Sequence, residues 1–182
     1  MKKLIKRLGY FFAGRKLNKE LLNRRIHRET VVFSVAKNIG ILFSAYTDDD
    51  IDTALQYINE LKKIGKEVEY IGYIAIKDYK KKRKSQVIEA NYIFESDFDF
   101  FHRPKRNLIE KFYKTDFDVL ISLNYTNAFS INYISSLSRA KMRVGKFNVN
   151  NVNAYDFMID DKGESMTSFI EQLNHYLQIL KK

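Results

Sequence analysis

Apolar positions follow two rhythms along this chain, one continuous and one helical. Ile39-Gly40-Ile41-Leu42-Phe43-Ser44-Ala45 is a short unbroken run, the pattern of a strand buried on both faces. Thr47 then offers an N-cap, and Asp48, Asp49 and Asp50 fall where a helix start favours negative charge. Ile51, Ala54, Leu55, Ile58, Leu61 and Ile64 recur at helical spacing until Gly65, which suits the left-handed turn that closes a helix. Val68–Ile76 reads as a second strand. Strand, helix, glycine and strand in this order predict a right-handed βαβ unit with parallel pairing.

The rest of the chain repeats the alternation. Tyr92-Ile93-Phe94 predicts a short strand, Asn107–Lys114 a short helix, and Phe117–Leu123 a strand. Asn124–Asn127 reads as a loop and Ala128–Ser138 as a helix. Met142–Gly145 and Tyr155–Ile159 predict two more strands. Ser165–Leu180 closes the chain as an amphipathic helix with Phe169, Ile170, Leu173, Tyr176, Leu177 and Leu180 facing inward. The predicted fold class is α/β, a three-layer sandwich with a mostly parallel, Rossmann-like sheet. Residues 31–182 form the globular domain in this reading, and residues 1–30 a basic helical N-terminal arm.

In that arm Leu4, Ile5, Leu8, Phe11 and Phe12 share one helical side, with Lys2, Lys3, Lys6 and Arg7 opposite. Gly14 is expected to interrupt the helix, and a second helical stretch follows around Asn18–Ile26. Ten basic residues stand here against Glu20 and Glu29, a net +8 of the chain's formal +10. Such a segment seeks a polyanion. A second basic cluster follows the second strand: Lys77, Lys80, Lys81, Lys82, Arg83 and Lys84, with Asp78 opposing. Arg103, Lys105 and Arg106 form a smaller one.

Composition narrows the chemistry. There is no cysteine, which removes disulfides and thiolate catalysis. The seven glycines never cluster, so neither a dinucleotide fingerprint nor a phosphate loop is present. His27, His102 and His175 have no zinc-site spacing, and the aspartates at 48–50 and at 156, 160 and 161 lack a calcium-loop pattern. No serine stands in a nucleophile elbow. No metal and no cofactor is expected. Lys6 and Arg7 interrupt the leading apolar stretch, which argues against an export signal.

Four segments carry a resemblance: Ala36–Phe43, Phe117–Leu123, Ser138–Lys146 and Tyr155–Asp160. In them the chain is similar to a family of uncharacterised proteins found in Bacteroidota. The resemblance covers most of the chain, arm included, and implies a cytoplasmic setting without an activity. Asp118–Leu123, the following helix and Ala140–Gly145 also resemble the acceptor half of heptosyltransferase-type glycosyltransferases. That fold's nucleotide-sugar domain has no room in 182 residues, so the likeness is one of α/β architecture, which does not fix chemistry.

The expected function is therefore non-enzymatic: binding of structured RNA, with a ribosomal particle as partner. Lys2, Lys3, Lys6, Arg7, Arg15, Lys16, Arg24, Arg25 and Arg28 would contact phosphates, with Lys80, Lys81, Lys82, Arg83 and Lys84 as a second contact. Two rivals concern the same arm: attachment to an anionic membrane surface, and packing of the arm against the domain or against a second copy of it, a self-association. A third is a small-molecule-binding or transferase-like domain. Its polar pocket would lie beyond the strand ends, at Thr47, Asp48, Asn124, Thr126 and Asn127. The plainer account of those five residues is helix capping and a polar turn.

Overall fold

A computed structural model describes residues 2–22, 26–79, 91–101, 103–149, 152–163 and 165–180, and of residues 2–8 only the backbone. Six strands form one sheet: β1 (Asn38–Ala45), β2 (Glu67–Ile74), β3 (Tyr92–Phe94), β4 (Val119–Leu123), β5 (Met142–Lys146) and β6 (Phe157–Ile159). Their order is β3-β2-β1-β4-β5-β6 and every pairing is parallel. This is a Rossmann-like α/β fold, with the order reversing between β1 and β4. The parallelism follows from the connections, since the helices after β1, after β3 and after β4 each return the chain to the same end of the sheet.

Strand alternation divides the core into two apolar layers. Ile39, Ile41, Phe43 and Ala45 of β1 face one side, where α2 (Asp48–Lys63) and α5 (Met166–Ile179) pack through Ile51, Ile58, Phe169 and Leu173. Leu42 and Leu120 face the other side, against Ile109 and Phe112 of α3 (Arg106–Lys114) and Ile131 and Ile134 of α4 (Phe129–Leu137). Two glycines make room within the sheet. A Cβ on Gly72 would meet the Phe43 ring at 2.3 Å, and one on Gly145 the Tyr155 ring at 2.5 Å.

Thr47 caps α2 as the sequence predicts: its hydroxyl accepts from the Asp50 amide, and Asp50 accepts from the Thr47 amide in return. Gly65 closes the same helix at φ +82°. Ser165 caps α5 by accepting from the Ser168 amide. Tyr176 departs from expectation. It is 41% exposed, its ring meeting Phe157 edge-on instead of entering the core.

The arm departs further. α1 runs unbroken from Lys2 to Leu22, through Gly14, and Ile26 lies outside any helix. Glycine costs a helix only about 1 kcal/mol, and docking on the domain offsets that. Buried Ala13, with Leu17 and Tyr10, rests on the far side of α4, where Tyr10 meets the Phe129 ring at 5.0 Å. The side that faces out carries Phe11 and Phe12, 57% and 51% exposed. The predicted apolar face is thus turned to solvent at these two residues.

Candidate functional site: a basic aromatic face and the carboxyl-edge crevice

α1 and the turn before α3 meet on one surface, although about ninety residues of chain separate them. A 3₁₀ turn (Glu95–Asp97) follows β3, and Asp97 and Asp99 then fold the chain back on itself. Asp97 Oδ2 accepts from the Phe94 amide at 2.9 Å, and Asp99 Oδ1 from the amides of Phe101 and Arg103 at 2.9 and 3.0 Å. Asp99 also holds the Arg103 side chain through its Nε at 2.7 Å. Burial would raise the Asp99 carboxyl, but the Arg103 bonds and charge outweigh it and hold the group below the usual carboxylate range.

This tether presents Phe100 and Phe101 beside the arm. Phe12 and Phe101 meet edge to face at 6.2 Å, Phe100 packs on Phe101 at 5.4 Å, and Phe11 on Phe12 at 5.7 Å. Phe100 is 73% exposed. Cations border the rings: the Arg15 guanidinium lies 5.5 Å from the Phe11 centroid and that of Arg103 5.2 Å from Phe101. Arg15, Lys16 and Lys19 are exposed and form no ion pair among the described residues. Between α1 and the turn runs a groove of about 310 Å³, with Lys16, Arg103, Lys105 and Arg106 along it and Tyr113 and Tyr133 at its floor. Glu20 and Asp99 also line it, so its positive charge is partly offset.

Of the other predicted cations, Lys2, Lys3, Lys6 and Arg7 lie in α1 by backbone, and their side chains fall outside the described residues. Arg24, Arg25, Lys80, Lys81, Lys82, Arg83, Lys84 and His102 also lie outside the described residues. Arg28 is not on the groove. Its guanidinium donates to the Ala140 carbonyl and, at 2.7 Å, to that of Ser138. With the Glu29 amide on the Lys141 carbonyl at 3.0 Å, it stitches the chain to the start of β5. Burial, then the Arg143 charge, lower its pKa to about 10, with Asp156 opposing. Asp156 itself is held low: burial would raise it, but it accepts from Arg143 at 2.7 and 2.9 Å.

The second location is the crevice beyond the carboxyl ends of β1 and β4, where an open parallel sheet with this order holds its ligands. The predicted pocket residues are here, and most of their hydrogen-bonding capacity is used internally. Asn124 Oδ1 accepts from Ser44 at 2.9 Å and from the Ala128 amide at 2.8 Å. Its Nδ2 donates to the Ala128 carbonyl and to Asn132 Oδ1 at 3.0 and 3.1 Å. Thr126 bonds Ser44 at 3.1 Å. Asn127, at φ +62°, accepts from Asn132 at 2.7 Å. Thr47 and Asp50 are occupied by the cap, and Tyr125 donates to Asp50 at 2.9 Å. Burial, followed by the bond to Asp50, pushes the Tyr125 hydroxyl up to about 12. Asp48 is exposed in the first turn of α2.

The network continues inward to residues that sequence reasoning missed. Asn132 accepts from the Tyr155 hydroxyl at 2.6 Å, and that hydroxyl meets Ser122 Oγ at 2.9 Å. All three side chains are buried. One signal for Asn132 was available: an amide amid Ile131, Tyr133 and Ile134 in a helix of apolar rhythm. Nothing in the sequence pairs Tyr155 with Ser122. Beside the network the carboxyl edge holds a further cavity of about 160 Å³, lined in part by Tyr10 of α1. No group of three or more metal-ligating side chains gathers among the described residues. None of their helices is long and apolar enough to cross a membrane.

The sequence model of a family of unknown function (DUF6913) matches residues 10–180, and the chain belongs to that family. No curated protein and no solved structure matches it.

Proposed function

We propose that this member of the family is a non-enzymatic cytoplasmic protein that binds structured RNA, in a ribosomal particle or its precursor, through the face shared by α1 and the turn before α3. The observation that carries the reading is the groove: Lys16, Arg103, Lys105 and Arg106 line a concavity, with Arg15 and Lys19 exposed on the same helix. A concave row of cations suits a phosphate backbone, whereas a bilayer presents a flat surface. The neighbouring phenylalanines supply faces on which unpaired bases stack, so one surface supplies both parts of RNA recognition. Phosphate contacts position without reading sequence, and recognition is therefore by shape.

The test is an RNA-binding titration across salt concentrations, with a structured ribosomal RNA fragment and the Arg15→Gln/Lys16→Gln/Lys19→Gln variant. Each lost phosphate contact lowers the slope of log K against log salt by about 0.7–0.9, so the triple variant loses roughly two to three units of slope. An unchanged slope rejects the assignment. A second reading, attachment to an anionic membrane, is favoured by the exposure of Phe11, Phe12 and Phe100 beside those cations. Flotation of the nuclease-treated protein with phosphatidylserine vesicles, without retention of RNA, would establish it in place of the first.

A further inference from the structure

The carboxyl-edge cavity has a chemistry of its own, independent of the basic face. It lies where the strand order reverses, between the ends of β1, β2 and β3 and the start of α4. Its volume is about 160 Å³, the space of roughly five waters at about 30 Å³ each. That is the scale of a small metabolite.

Two poles line it. The first is the N-terminus of α4. Ala128 precedes that helix with no side chain able to cap it, and the amides of Phe129 and Ser130 have no acceptor among the described residues. Ser130 lies in the same first turn and lines the cavity. It is only 5% exposed, and its hydroxyl has no hydrogen-bond partner among the described residues. A hydroxyl that opens into the cavity from an otherwise buried residue, beside helix amides with no side-chain cap, is an arrangement that receives an anionic oxygen. The second pole is Glu95, whose Oε2 accepts from the Tyr73 hydroxyl at 2.7 Å. Burial, then that bond, hold the Tyr73 hydroxyl above its ordinary range, so it stays a donor. The rings of Tyr10, Tyr46, Tyr73 and Phe129 line the space between, surfaces that accept a cation as readily as an apolar stem.

An isolated anion would meet repulsion from Glu95, and an isolated amine would leave the helix amides unpaired. We infer that the cavity binds a small zwitterion of the amino-acid class, its carboxylate on the α4 amides and Ser130 and its ammonium toward Glu95 and the tyrosine faces. Tyr10 lines the site from α1, so the arm that carries the basic face also contributes to this cavity.

The experiment is a thermal-shift and calorimetric titration of the full chain with glycine, alanine, serine and 4-aminobutanoate. Acetate, propanoate and propylamine serve as single-pole controls. At least one amino acid is expected to bind with a rise in Tm that no control reproduces. Ser130→Ala and Glu95→Gln, which preserve shape, should each weaken that binding by about tenfold or more, as expected for loss of a bond to a charged group. Failure of all four amino acids to bind overturns the inference. So does equal binding of a control, or affinity unchanged in both variants. RNA titration of the same variants separates the two proposals, because neither side chain lines the basic groove.

Discussion

Tyr155→Phe tests the buried polar network most directly. The substitution removes one hydroxyl and leaves the ring, which Gly145 accommodates, in place. That hydroxyl has two partners, Ser122 Oγ at 2.9 Å and Asn132 Oδ1 at 2.6 Å, and burial raises its pKa to about 12, the bonds to its polar neighbours and the Arg143 charge opposing. Asn132 Oδ1 still accepts from Asn124 after the change. Ser122 does not fare so well: it is wholly buried in β4, and Tyr155 is its side chain's partner. Leaving it unsatisfied costs about 1–3 kcal/mol, so Tyr155→Phe should destabilise by about 2 kcal/mol. At roughly 2–4 °C per kcal/mol for a chain of this size, Tm falls by about 4–8 °C. Ser122→Ala alone leaves the tyrosine bonded to Asn132 and should cost under about 1 kcal/mol. With both changes nothing remains stranded, so the double variant should cost less than the sum, with a coupling of about 1 kcal/mol. Urea unfolding followed by circular dichroism measures all three. A Tyr155→Phe cost below about 0.5 kcal/mol, or strict additivity, would refute the reasoning.

Three further outcomes follow from the same geometry. Gly72→Ala should lose about 1–3 kcal/mol in urea unfolding, because its Cβ would sit inside contact distance of the fixed Phe43 ring; a neutral result would mean that the ring can move aside. Thr47→Ala removes half of the α2 capping box and should cost about 1 kcal/mol, measured the same way, with Thr47→Ser retaining most of the stability. Asp156 is held below its unfolded carboxyl range by Arg143, so the stability this pair contributes is present above the unfolded pKa and is lost as pH falls through the lower, folded one. Wild-type protein should lose stability below about pH 4, with Asp156→Asn showing a shallower decline there; parallel profiles would count against the assignment.

Much of the architecture was legible in the residues because local rules and global packing agree. The run Ile39–Ala45 is apolar throughout, and only a central parallel strand buries both faces of such a run. Thr47 and Gly65 delimit α2 through capping chemistry that acts within a few residues. Where tertiary contacts outweighed local preference, the sequence misled. Gly14 does not break α1, and Phe11 and Phe12 face outward, because α4 receives the face of Ala13 and Leu17 instead.

The sites divide in the same way. Charge is additive along a chain, so the basic arm and the Arg103–Arg106 cluster were apparent from counting alone. That they border one groove with Phe12 against Phe101 depends on where β3 and the following turn leave the sheet, a non-local fact. Equally, residues 124–127 could be read as either pocket or turn, because an amide's chemistry does not reveal who satisfies it. Only the fold brings Ser44 to Asn124, and Tyr155 to Ser122 and Asn132, while leaving the Ser130 hydroxyl without a partner among the described residues. Periodicity and capping act over one or two turns of chain and so set the elements. Which polar groups remain unpaired depends on elements far apart in sequence, and only packing decides that.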